Sequence, residues 1–134
     1  MSRLEIRAAL EQFIAANTSL PTAFEGVSFT PDSSQPYQRV YLLMNQPQNP
    51  TMGQAFYRET GFFQITLCYP VGNGTGDINT EAERLRRLFI RGRTWSTGGV
   101  TILSSMTPQI GNPIIDGDHM EVVVRVFIQT DVFE

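Results

Sequence analysis

Between Tyr57 and Arg93 the chain reads as a strand, a glycine loop and an arginine-rich helix in direct succession. In YRETGFFQITLCYP, Phe63, Ile65, Leu67 and Tyr69 alternate with Gln64, Thr66 and Cys68, the period of a strand with one apolar face. Pro70 ends it. The loop VGNGTGD follows, and NTEAERLRRLFIRGR carries an apolar stripe at Ala82, Leu85, Leu88 and Phe89. A strand that passes through a helix before the next strand demands layered α and β structure.

The flanking segments extend this pattern. Ser2 and Glu5 suggest a capping box, and Ile6, Leu10, Phe13 and Ile14 give a first helix ending near Asn17. Phe24, Val27 and Phe29 suggest a short strand or extended edge. Tyr37 to Met44 reads as a strand with apolar residues on both faces, as for a strand covered on both sides or lying at a subunit contact. The stretch from Asn45 to Phe56, with Pro47, Pro50 and Gly53, is a long loop. Trp95 to Gly99 reads as a turn and Val100 to Met106 as a strand, and Asp116-Gly117 suits a hairpin turn. The last strand places Met120, Val122, Val124, Val126 and Ile128 toward the core and Glu121, Arg125 and Gln129 outward, with Val123 and Phe127 adding apolar surface to the outer face. The expected fold is α+β, with two helices on one face of a mostly antiparallel or mixed sheet, in the order α-β-β-β-α-β-β. The passage from the central strand through the second helix to Val100 suits a right-handed crossover. One domain over residues 1–134 is expected, since 134 residues bury roughly two thirds of their unfolded surface.

Composition narrows the function. A net charge of −3 argues against a dedicated nucleic-acid binder. All ten basic residues are arginine, which suits interfaces but is also what a GC-rich genome produces. Cys68 is the one cysteine, so neither an internal disulfide nor a cysteine-based zinc cluster is expected. No run is apolar enough for a membrane helix, no signal peptide is read at the N-terminus, and the chain is expected to stay in the cytoplasm in which it is made.

The candidate chemistry is thin. The loop Gly72-Asn73-Gly74-Thr75-Gly76 precedes a helix, where anions bind, but a P-loop needs a lysine and a dinucleotide loop needs G-x-G-x-x-G. Asp77 adds a repelling charge. The glycines read better as suppliers of positive φ. Thr80 and Glu83 suggest a capping box for the second helix, with Glu83 and Arg87 an i,i+4 pair. His119 stands near Asp116, Asp118 and Glu121 without the spacing of a calcium loop or a paired nucleophile. No catalytic residue, metal ligand or cofactor site is expected. The candidate partner-contact residues are Arg84, Arg87 and Arg91 on one side of the second helix, Arg125 and Phe127 on the last strand, and Met52 in the long loop.

The segment YRETGFFQITLCYPVGNGTGDINTEAERLRRLFIRG, with EIRAALEQFIAA and YQRVYLL, resembles small tail terminator proteins of long-tailed bacteriophages and prophages. Glu59-Thr60-Gly61, Tyr69-Pro70, Gly74-Thr75-Gly76, Ala82 and Phe89 carry the resemblance. It implies a non-enzymatic protein of the virion tail, made in the host bacterial cytoplasm, that forms a ring, usually six-fold. Such a ring caps the tail tube, stops its polymerisation and meets the head connector. The implied partners are further copies of the chain, the tube protein and the connector, and DNA contact in the channel is left open. The prolines, glycine and lack of period of the long loop suggest that it has no fixed structure of its own and orders on assembly. A neck or head-closure protein is the nearest alternative. From a different class, a small-molecule or nucleotide-binding domain would use the Gly72–Gly76 loop.

Overall fold

The computed structural model describes residues 2–32, 34–53, 55–72, 74–97 and 99–133, with Ser2 described by its backbone alone. The Ser2–Glu5 capping box therefore lies outside the described side chains. The elements run α1 (Ser2–Ala16), β1 (Thr22–Ala23), β2 (Tyr37–Met44), β3 (Phe56–Pro70), α2 (Gly76–Leu88), β4 (Thr94–Thr97), β5 (Val100–Ser104), β6 (Gln109–Ile110), β7 (Ile114–Asp116) and β8 (His119–Phe133). The fold class is α+β as expected, with a mixed eight-stranded sheet.

The two long strands are its spine. β3 and β8 pair antiparallel along their full lengths, from Phe56↔Phe133 to Pro70↔His119. β2 joins the other edge of β3, and β1 adds two parallel pairs to β2. On its far side β8 receives β7, β6 and then β5, and β4 closes a hairpin with β5. β5 runs parallel to β3, so α2 does belong to a crossover, but β8 lies between the two parallel strands.

The register puts Val40, Ile65 and Val124 abreast, and likewise Leu42, Phe63 and Val126. Side chains alternate along each strand, so one face collects the apolar set. Ile6, Leu10 and Ile14 from α1 and Ile78, Ala82 and Leu85 from α2 bury that face, and all are at most 1% exposed. Phe13 joins the helices to the hairpin, edge-on to both Phe89 and Trp95 at 5.3 Å. Two buried hydroxyls in this layer are bonded: Ser104 donates to the Phe89 carbonyl, and Thr130 to that of Thr101.

Several local expectations change. The strand placed around Phe24–Phe29 is instead the two-residue β1, and 24–29 is a turn and irregular chain. Trp95–Thr97 is strand and not turn, because Trp95 pairs with Ile102 and packs on Phe13. The stretch after Pro108 holds two short strands, since β8 is long enough to accept them beyond β5. α2 starts at Gly76, three residues before the predicted start, which adds Ile78 to its buried stripe. Thr80 is therefore inside the helix, donating to the Gly76 carbonyl at 2.8 Å, and it does not cap. Thr75 is the N-cap residue and makes no side-chain cap bond.

Candidate assembly surface

α2 ends at Leu88, so Arg91 stands beyond the helix and the ridge of Arg84, Arg87 and Arg91 is not continuous. Arg84 is half-buried. Its guanidinium bonds both carboxylate oxygens of Glu81, at 2.7 and 2.8 Å, and donates to the Asn17 carbonyl at 2.8 Å. It ties α2 to the end of α1. Arg86 similarly donates to the Pro108 carbonyl at 3.1 Å, and Glu83 approaches Arg86 where Arg87 was expected. Arg93 lies 5.3 Å over the Phe13 ring. Arg87 and Arg91 remain exposed to solvent.

Arg125 and Phe127 belong to a different surface. Both helices cover one face of the sheet; these residues lie on the other. In register there, Leu43, Phe62 and Phe127 form one row and Tyr41, Gln64 and Arg125 the next. Arg125 donates to Gln64 at 3.2 Å and lies 5.4 Å over the Phe62 ring. Tyr41 and Leu43 are 37% and 47% exposed. Shallow hollows of about 320 and 340 Å³ border the band, one beside Val123 and Gly111, the other beside Leu103 and Phe133. Met52 is fully exposed on the loop after β2. The base of that loop is tied down, because Gln48 and Arg58 exchange backbone hydrogen bonds at 2.8 and 2.9 Å. The structure thus distributes the six candidate residues over three surfaces.

The groups with possible chemistry are differently engaged. Glu121 pairs with Arg39 at 3.2 Å, and His119 Nδ1 meets Asp118 at 2.9 Å while its ring stands edge-on to Tyr37. Burial pushes the Cys68 thiol up, although Arg39 and Tyr37 oppose the shift, so it is held protonated near neutrality. Among the described residues, no three His, Cys, Asp or Glu side chains are grouped to hold a metal ion. No helix there is long and apolar enough to cross a membrane. Gly72 and Gly74 have φ of 116° and 71°, the left-handed region that glycine tolerates, so they do serve the reversal from β3 into α2. Gly76 has ordinary φ and open space around it, and does not share that role.

The family model for phage tail terminator proteins matches residues 5–127. The chain belongs to the phage tail terminator family. A solved structure 26% identical in sequence matches 100% of this terminator chain and 97% of its own, with a TM-score of 0.77. No curated protein matches the sequence. The family gives this chain a structural role in phage tail assembly, which accounts for a molecule whose distinctive side chains lie on open surface.

The sequence also left one terminator feature unread. Ile114 and Ile115, consecutive in β7, are 62% and 71% exposed. Two adjacent isoleucines between Pro113 and the Asp116-Gly117 turn were a usable signal. Adjacent strand residues point to opposite faces, so a strand too short to be covered must expose one, and here both.

Proposed function

We propose that the protein assembles into a ring, six-fold by resemblance to its family, that caps the tail tube. The ring stops tube polymerisation and joins the tail to the head connector. The observation that carries this reading is the helix-free sheet face at the end away from the buried Thr66 and Cys68. Tyr41, Leu43, Phe62 and Phe127 form a continuous apolar band on a face that carries no helix. Contiguous apolar surface of this kind marks protein contacts. The exposed loop tip around Met52, held at its base by the Gln48–Arg58 pair, supplies a second element able to reach a partner.

The test is direct. Tube subunits polymerising in vitro are mixed with the protein, and tube lengths are measured by electron microscopy alongside native mass. The proposal expects short, uniform tubes bearing a terminal ring, with Phe127→Asp and Leu43→Asp losing both effects while keeping their circular dichroism spectra. Unchanged tube growth at excess protein would reject it.

A further inference from the structure

We propose that the β7–β8 hairpin tip of one copy seats in the hollow beside Arg91 and Met106 of the next copy, making a head-to-tail contact. The inference rests on the ring reading above and names one of its joints.

The tip combines two properties. Ile114 and Ile115 present apolar surface on both faces of β7, which is bonded to β8 along one side. Asp116 and Asp118 flank Gly117 at the turn, and both are exposed. The tip is thus an apolar knob with two carboxylates at its end.

The receiving surface has the opposite charge and the same apolar character. An open hollow of about 360 Å³ is lined by Arg91, Ser105, Met106 and Thr107. Met106 is 56% exposed and Arg91 lies in the turn after α2. Arg86 stands nearby, held by the carbonyl of Pro108. Exposed arginine with exposed methionine is a composition enriched at protein contacts.

The two surfaces do not meet within one chain. The tip borders His119 at the start of β8, whereas Ser105 is bonded to Phe127. The strand rise separates these positions by about 27 Å. A second copy supplies the partner. A contact between unlike surfaces repeats with one sense of rotation, so it closes into a ring or runs on as a filament.

Cross-linking and charge reversal test this together. In an Ile115→Cys/Met106→Cys chain, mild oxidation should give a covalent ladder on denaturing gels, while either single variant gives at most dimers. A bond within one chain is precluded, because a disulfide needs Cα atoms within about 7 Å. Cys68, fully buried, does not compete. Asp116→Arg/Asp118→Arg should weaken assembly at least ten-fold in concentration and leave the circular dichroism spectrum unchanged, and adding Arg91→Glu should recover part of that loss. Wild-type rings with no ladder and no response to reversal overturn this contact and leave the ring reading intact. A wild-type chain that stays monomeric at every concentration, with tube subunits present or absent, overturns both.

Discussion

A methyl group at Gly61 would lie well inside van der Waals contact of the Leu43 carbonyl oxygen, 2.9 Å from Met44 Sδ and 3.0 Å from Met44 Cα. The Met44 sulfur ends a flexible chain and can swing away. The Leu43 oxygen and Met44 Cα are backbone and cannot, because β2 is held to β3 from Tyr37↔Cys68 to Met44↔Gly61. Relief requires the last residues of β2 to part from β3. Gly61→Ala should therefore cost about 2–3 kcal/mol, the upper part of the roughly 1–3 kcal/mol typical of forcing extra volume into a packed site. Out of a total of roughly 5–15 kcal/mol that is a large share. At this chain length it corresponds to a fall in melting temperature of roughly 6–15 °C. Urea unfolding followed by circular dichroism gives the free energy, and a thermal scan gives the shift. Gly76→Ala is the control: Gly76 has no heavy atom near its would-be Cβ and no positive φ, so it should stay within about 0.5 kcal/mol of the parent. If Gly61→Ala is as stable as the parent, the close approach of β2 to β3 does not depend on the missing side chain, and the reasoning fails. The same result would remove the physical reason offered here for glycine in the Glu59-Thr60-Gly61 motif.

Two further outcomes follow from individual side chains. Arg84→Ala should lose about 1 kcal/mol, discounted for its partial exposure, because it bridges Glu81 and the Asn17 carbonyl; Arg87→Ala should change stability by less than about 0.5 kcal/mol, and equal losses in urea titrations would contradict this division. Burial first, then the charges of Glu81 and Asp77, push the Tyr69 hydroxyl up to about 12. A raised acid pKa favours the folded state while the group stays protonated. Its contribution is therefore complete below about pH 10 and drains away as pH rises through 12. Tyr69→Phe should remove about 1–2 kcal/mol of that alkaline loss, after allowance for exposure. Identical pH dependence in the two proteins between pH 9 and 12 would refute the assignment.

Local sequence decided the elements whose partners are implicit in their own pattern. Alternation along Met120–Ile128 determined which face would be buried, because the side-chain period of a strand is a property of the chain itself; along Phe63–Tyr69 it found the helix-covered face, while Thr66 and Cys68 on the other are buried as well. The i, i+4, i+8 spacing of Ile6, Leu10 and Ile14 did the same for α1. Elements that exist only through a distant partner were not legible. β6 is two residues long and is a strand because the distant β8 accepts it, and β4 reads as a turn until it pairs with β5, whereas the Asp116-Gly117 signal did mark the turn of the β7–β8 hairpin. The arginines show the same division. Sequence placed Arg84, Arg87 and Arg91 on one ridge by counting residues along a helix. Tertiary structure separated them, because α2 stops at Leu88 and Arg84 turns to the Asn17 carbonyl just after α1. Side-chain type fixes what an arginine is able to bind. Which acceptor lies within reach depends on chain segments up to 82 residues away, and only the packed structure brings them there.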